Sequence, residues 1–304
     1  MTTGDKFRDQ IAALLGTRYD DVRTEIQLRA KKADVCFETR FGAQRIKVAV
    51  ECKKWERSLT RDDAKDILAD YDPARQDKQI DAIWIVCNRT PAPGAREYVG
   101  AYSHAQLMTA LELERSIIDF TPMLNLLVKE FENDPLSKYF ISPKYYSGAD
   151  QRAVLHDHIS AWLENDNARP IAIWGGYGMG KTSYARYLAA RLARTCLDEY
   201  GSRIPILLNL GDFTTAPSIE TLIFSQLTNY YGIREFSVGA FKLLNKQPRF
   251  VLILDGVDEM KFAMAQNEFA YFSAELRNSA KENPKLLILG VPTSWSPRTM
   301  PRGC

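Results

Sequence analysis

Three short strings in this sequence carry residues whose types and spacing could do chemistry. The first is GGYGMGKT at residues 175–182, which fits G-x-x-x-x-G-K-[ST] letter for letter. Glycines let successive backbone N–H groups turn inward around a phosphate, and a helix beginning at the end of the loop adds its dipole. Gly175, Gly176, Gly178 and Gly180 would shape such a loop, followed by Lys181, Thr182 and Ser183. Lys181 would bridge the β- and γ-phosphates of a nucleotide, and the Thr182 hydroxyl would coordinate Mg²⁺. The second string, RFVLILDGVDE at residues 249–259, puts Asp255 at the end of an apolar strand with Asp258 and Glu259 just beyond. One carboxylate at a strand end can support the magnesium shell, and another just past it can orient or activate water. An acidic cluster after a strand is alone a solvated loop; the phosphate loop upstream gives it meaning.

The third string is ADVCFETRFGAQRIKVAVECKKW at residues 33–55, which alternates with period two on either side of a glycine turn. With FGAQ (41–44) as the turn, paired residues sum to 85, so Asp34 faces Glu51 and Glu38 faces Lys47. Side-chain alternation brings Lys53 to the face of Asp34 and Glu51, and sends Val35, Phe37, Ile46, Val48 and Val50 to the other as core. Carboxylates about 5 Å apart across a strand pair repel unless a cation lies between them. Asp34 and Glu51 thus make a Mg²⁺ site whose bound water could attack a phosphodiester, with Lys53 positioning that nucleophile and stabilising the developing charge. The plain alternative is an exposed strand face with cross-strand charge pairs. Between Arg29 and Lys65 there are 11 Lys and Arg against 6 Asp and Glu, a basic surround that suits a phosphate backbone.

Elements that must position these residues alternate along the chain. FRDQIAALL reads as an amphipathic helix, TRDDAKDILADYDPAR as a helix capped by Thr60, IDAIWIVCN as a buried strand and PGAREYVGAYS as a helix. After a Pro- and Gly-containing connection at 133–150, RPIAIW, RIPILLNL, RFVLIL and KLLILGV read as strands separated by helices, an order that argues a mainly parallel sheet. The fold class is therefore α/β in both halves. The 304 residues carry Lys+Arg 40 against Asp+Glu 38, a net +2, which excludes a uniformly basic nucleic-acid coat. Strand-sized apolar runs exclude a helical membrane span, so no membrane partner is expected. Five scattered cysteines without a C-x-x-C pair point to reduced thiols in the cytoplasm. His156 and His158, at i, i+2, fall on different sides of a helix and read as solvated residues.

GGYGMGKTS, IPILLNL and LILDGVDE resemble the NACHT clade of STAND-type signal-transduction NTPases, in which a glycine follows the magnesium aspartate and an Asp-Glu pair comes two residues later. The resemblance covers about residues 150 to 291. It implies a P-loop NTPase sandwich that binds Mg²⁺ with ATP or GTP, a nucleotide-controlled switch from monomer to homo-oligomer, and slow hydrolysis as reset. Carried over by position, Lys181 and Thr182 hold phosphate and metal, Asp255 supports Mg²⁺, and Asp258 with Glu259 supplies the catalytic carboxylate. Arg298 does not stand where a γ-phosphate sensor would. ADVCFET and VAVECKKW resemble the PD-(D/E)XK restriction-endonuclease-like superfamily, with Asp34 as the motif aspartate and Glu51, Cys52 and Lys53 as E-x-K. That resemblance covers about residues 5 to 120 and implies a mixed sheet with flanking helices that cuts double-stranded DNA. Asp9, Gln10 and Glu25 are candidates for a further acid or glutamine.

The expected organisation is a nuclease-like effector domain at 1–132, a linker at 133–150, and an incomplete NACHT core at 151–304. The expected function is antiviral defence, in which nucleotide-dependent oligomerisation of the NACHT module activates a Mg²⁺-dependent DNA endonuclease. An ATP-driven restriction motor, and a nucleotide-switched DNA-binding regulator with an inactive nuclease fold, are the alternatives. From about 290 the chain turns into GVPTSWSPRTMPRGC, with three prolines and no period. A truncated or frame-shifted product is expected there, with the sensor for a viral trigger missing.

Overall fold

Thr2 and Asp5 close a capping box at the start of helix α1 (Thr3–Leu15), whose Phe7, Ile11, Leu14 and Leu15 share one buried side. The computed structural model describes residues 2–42, 44–146, 152–165, 168–212, 218–234, 237–259, 274–276 and 285–291. Strand β1 (Asp20–Gln27) follows, then β2 (Lys32–Phe41) and β3 (Gln44–Lys53) as an antiparallel hairpin. Its register pairs Val35 with Val50, Glu38 with Lys47 and Arg40 with Arg45, the sum of 85 read from the sequence. Thr60 and Asp63 form a second capping box for α2 (Arg61–Gln76). The chain continues through β4 (Ala82–Cys87), α3 (Pro93–Gly100), β5 (Ala105–Thr109) and α4 (Ala110–Ile117). The five strands lie in the order β1-β2-β3-β4-β5; β1 to β3 are antiparallel, and β3, β4 and β5 run parallel.

This central place for β3 changes one expectation. Alternation predicts one apolar face for the hairpin and one that carries Asp34, Glu51 and Lys53, with an exposed strand face as the alternative; the apolar face is there, with Val35, Phe37, Val48 and Val50 buried. The other face is covered as well: Ala49 packs in a cluster with Ala64, Ile67, Leu68 and Tyr71 of α2 and with Ile83 and Ile85 of β4. Glu51 therefore lies at the carboxyl end of a covered strand, 4% exposed, rather than on an open surface.

A second set of elements begins with α5 (Thr121–Asn133), and the chain forms two compact units, Met1–Asp119 with Ser237–Leu243, and Phe120–Phe236 with Leu244–Cys304. The stretch 133–146, expected to lack regular structure, holds a 3-10 turn (Pro135–Tyr139) and strand β6 (Lys144–Tyr146), paired antiparallel with β7 (Arg152–Val154). Phe131 of α5 meets the Tyr187 ring edge-on at 5.7 Å and Phe140 beyond it stacks on the same ring at 4.3 Å, the aromatic contacts that tie this stretch down. Then come α6 (Leu155–Glu164), β8 (Ile171–Trp174), α7 (Lys181–Asp198), β9 (Ile204–Asn209), α8 (Ile219–Ser225), α9 (Val238–Lys246), which belongs to the first unit as far as Leu243, β10 (Phe250–Asp255) and β11 (Leu286–Gly290). The four long strands are all parallel, in the order β8-β11-β10-β9. All six residues of β10 are buried, as a near-continuous apolar run requires in a sheet covered on both faces. The helix expected between RFVLIL and KLLILGV lies outside the described residues except at 274–276, and the tail from 292, with Arg298, lies outside them entirely.

Candidate functional sites

In the second unit the phosphate loop joins β8 to α7. Gly178 and Gly180 adopt φ of 72° and 80°, which only glycine reaches without strain, and Gly180 caps α7 directly before Lys181. The Lys181 ammonium donates to the carbonyls of Gly175 and Gly176, each at 2.9 Å. The Gly176 N–H donates to Met179 Sδ at 3.1 Å. Ser183 follows on the first turn of α7, half-buried. The parallel sheet brings the acidic strand to this loop: the Thr182 side chain lies beside the Asp255 carboxylate, which is 5% exposed. Burial raises the Asp255 pKa above the usual carboxylate range, while Thr182, Lys181 and Arg186 pull it down and Asp258 pushes it up. A hydroxyl and a desolvated carboxylate meeting beside a phosphate loop are the donor set that fits Mg²⁺ carried by a nucleotide, with Lys181 as the phosphate cation.

The neighbouring acids point apart. Asp258 is buried and its Oδ1 accepts from the Val291 N–H at 3.0 Å. Glu259 is exposed, and its carboxyl group lies beside Gly211 and Gly256, where a methyl on either glycine would crowd it.

In the first unit, Asp34, Glu51 and Lys53 stand together at the end of the β2–β3 pair. Asp34 Oδ2 accepts from the Cys52 N–H at 2.8 Å, and Lys53 Nζ donates to Glu51 Oε1 at 2.6 Å. Two further residues close on Glu51: the Tyr71 hydroxyl donates to Oε2 at 2.6 Å, and Lys31 Nζ lies 3.1 Å from Oε1. Lys31 also reaches Asp70 at 3.0 Å and sits over the Tyr71 ring at 5.0 Å. Burial works against the Lys31 charge, yet Glu51 and Asp70 outweigh it and raise the ammonium pKa. Burial raises the Asp34 pKa, countered by the Cys52 N–H and reinforced by Glu51. Desolvated, mutually repelling carboxylates beside a lysine fit a divalent cation, held by Asp34 and Glu51. Among the described residues, no three His, Cys, Asp or Glu side chains group as a metal site.

Of the candidates for a further group, Asp9 and Glu25 both pair with Arg8, at 3.0 and 3.1 Å, and Gln10 is exposed. Glu25 also pairs with Lys32 at 2.9 Å and has a φ of 58° between Thr24 and Ile26, whose partners Val35 and Ala33 flank Asp34. Asn88, just past β4, brackets the residue two beyond Lys53: Trp55 N–H donates to its Oδ1 at 2.9 Å, and its Nδ2 donates to the Trp55 carbonyl at 3.2 Å. Lys31 and Tyr71 escape the sequence reading. Lys31 is one member of a basic run, and Tyr71 falls at the buried helical spacing of Ala64, Ile67, Leu68 and Ala74, which reads as core. His156 lies within contact of Arg191 and His158 stacks on Tyr145 at 4.9 Å, so neither joins a ligand set. Cys36, Cys52, Cys87 and Cys196 are free thiols, and no described helix is long and apolar enough to cross a membrane.

Residues 169–299 match the model of the NACHT domain. An uncharacterized WD repeat-containing protein of Nostoc sp. is 27% identical over 241 residues, covering 68% of this chain and 15% of that protein. Disease resistance protein RPS6 of Arabidopsis thaliana is 25% identical over 147 residues, covering 44% and 13%. Disease resistance protein RPP4 of the same plant is 25% identical over 203 residues, covering 63% and 17%. The chain thus spans a small part of the length of the curated relatives it matches. Among solved structures, a protein of unknown function aligns with a TM-score of 0.30 at 18% identity, over 34% of this chain and 57% of that one. The DNA modification-dependent restriction endonuclease AspBHI aligns with a TM-score of 0.27 at 16% identity, over 38% and 35%.

Proposed function

We propose that the chain, whose residues 169–299 match the NACHT domain model, is a nucleotide-controlled defence protein of the cytoplasm. In this reading, binding of ATP or GTP with Mg²⁺ drives homo-oligomerisation of the NACHT module, and assembly turns on a DNA endonuclease at Asp34, Glu51 and Lys53. A trigger from an invader would start the process. The arrangement that carries the nucleotide part is Asp255, buried beside Thr182 and Lys181 at the phosphate loop. The names of the plant relatives, disease resistance proteins, support the defence part.

The effector part rests on the Asp34, Glu51 and Lys53 arrangement. A divalent ion held by the two carboxylates supplies a water nucleophile and charge stabilisation when bound. Lys53 orients that water and stabilises charge on the phosphoryl oxygens, while Tyr71 fixes the Glu51 carboxylate. The domain assignment follows: nuclease-like effector, then NACHT module, with the stretch at 133–150 as connection. A second reading, a nucleotide-switched DNA-binding regulator, is favoured by one observation: Glu51 is already engaged by Lys31, Lys53 and Tyr71.

The test is incubation of the purified chain with plasmid DNA and Mg²⁺, with and without ATP. Nicking that Lys53→Ala abolishes and Lys181→Ala suppresses is expected. Cleavage unchanged in Lys53→Ala would sink the nuclease, and DNA binding without cleavage would favour the regulator. ATP consumption proportional to DNA length would instead make the chain a motor.

A further inference from the structure

We propose that Lys31 is the resting counter-ion of Glu51: a built-in ammonium that a divalent cation must displace, with Asp70 as the carboxylate that receives it; this rests on the metal-dependent nuclease reading of the first unit. The first unit thus carries its own competitor for the metal.

Both oxygens of the Glu51 carboxylate are engaged. Oε1 lies 2.6 Å from Lys53 Nζ and 3.1 Å from Lys31 Nζ, while Oε2 accepts from the Tyr71 hydroxyl at 2.6 Å. Tyr71 is itself buried, which leaves Oε1 as the oxygen a metal can reach. Lys31 and Lys53 by themselves balance the charges of Asp34 and Glu51. A divalent ion binds carboxylate oxygens at about 2.0–2.6 Å, so on Oε1 it would be the third cation at one atom. One ammonium must withdraw. Lys53 is poorly placed to do so: it sits two residues along β3 from Glu51, on the same strand face, and its Nζ lies 5.4 Å from the centre of the Trp55 ring. Lys31 has somewhere to go, because the same Nζ lies 3.0 Å from Asp70 Oδ2.

The backbone from which Lys31 reaches is fixed. Lys31 closes the turn between β1 and β2, in which the Leu28 N–H donates to the Lys31 carbonyl at 2.9 Å and Leu28 is buried in the cluster that holds Tyr71. Arg29 pins the same turn past the end of α2. Its N–H donates to Gln79 Oε1 at 2.9 Å, and its guanidinium meets both Asp77 carboxylate oxygens at 2.7 and 2.6 Å. From this anchored turn the lysine stem passes over the Tyr71 ring, with Nζ 5.0 Å from the ring centre, and ends between buried Glu51 and exposed Asp70. A flexible four-carbon stem lets the ammonium slide from Glu51 to Asp70 while the turn stays in place. It remains paired at the outer station, so displacement costs only the difference between two carboxylate partners and one.

The experiment measures Mn²⁺ binding to the full chain without nucleotide, with free Mn²⁺ read by electron paramagnetic resonance. Wild type is compared with Lys31→Met, Lys32→Met and Asp34→Asn, and a melting curve of each shows that it folds. The binding lost in Asp34→Asn is that of the first-unit site. Methionine keeps an apolar stem on Tyr71 and removes the ammonium; Lys31→Gln, which keeps a donor for Glu51, carries the test should Lys31→Met not fold. Lys32→Met removes an equal charge one residue away, from a side chain that pairs with Glu25 at 2.9 Å. Lys31→Met is expected to tighten the Asp34-dependent binding by about tenfold, the low end of what an opposite charge at this range does to a carboxylate. Lys32→Met is expected to change it much less. Equal affinity in wild type and Lys31→Met, or an equal gain in Lys32→Met, overturns the proposal while the metal site stands. If no binding depends on Asp34 even in Lys31→Met, the metal-dependent reading fails, and the competition with it.

Discussion

Tyr71 donates its hydroxyl to a carboxylate that is 4% exposed, and burial together with the Glu51 charge drives the phenol far above its usual pKa. Removing that one oxygen leaves the ring in its core position and takes a donor from a buried charged acceptor. We expect Tyr71→Phe to destabilise the first unit by about 1–3 kcal/mol, read from urea unfolding followed by a probe in that unit. An unchanged midpoint would mean that Lys31 and Lys53 satisfy Glu51 without the phenol. At this scale the sequence names the candidate site residues better than it names their supports. Asp34, Glu51 and Lys53 follow from period-two alternation and a pairing sum. Tyr71 arrives from a helix some 20 positions away, and its own spacing on that helix is that of any core residue.

At the scale of elements, local chemistry sets helix starts. Thr60 and Asp63 exchange hydrogen bonds at the start of α2, and the Arg57 guanidinium on the Asp63 carboxylate, followed by the Thr60 bonds, holds that acid far below its usual pKa. An acid with a depressed folded-state pKa stabilises the folded chain above the unfolded carboxylate value, about 4, and loses that contribution as the pH falls through the folded value. We therefore expect Asp63→Asn to cost about 1 kcal/mol near neutral pH, the scale of a helix cap, and the difference from wild type to shrink on acidification. Melting curves between pH 3 and pH 8 measure it, and a cost that grows toward low pH would contradict the cap. The TRDD string makes this capping box legible in the sequence. What covers β3 is not legible, because alternation specifies one buried face and cannot say whether a distant helix will bury the other.

For the whole molecule, the two candidate sites lie in separate units, and a ligand of one should reveal it. A ligand that binds only the folded form stabilises it by about 2.7 kcal/mol at a hundredfold excess over Kd. Mg²⁺ with ATP is therefore expected to raise the melting transition of the second unit, to leave that of the first in place, and to do neither in Lys181→Ala, whose loop lacks the phosphate cation. Differential scanning calorimetry separates the transitions. An equal shift in the Lys181→Ala variant would mean that the nucleotide binds elsewhere.

By itself, the sequence determined the phosphate loop, the acidic strand, the hairpin register and the α/β class with a mixed sheet in one unit and a parallel sheet in the other. Each of these depends on residues close together in the chain, where turn chemistry, capping and side-chain period act directly. Only the tertiary structure decided that the strand order is β8-β11-β10-β9, that Thr182 meets Asp255, that Asp258 turns to Val291 while the Glu259 carboxyl turns to Gly211, and that Lys31 and Tyr71 close over Glu51. Those contacts join residues far apart in the chain, brought together by burial of apolar surface that is non-directional along the sequence, so no local spacing encodes them.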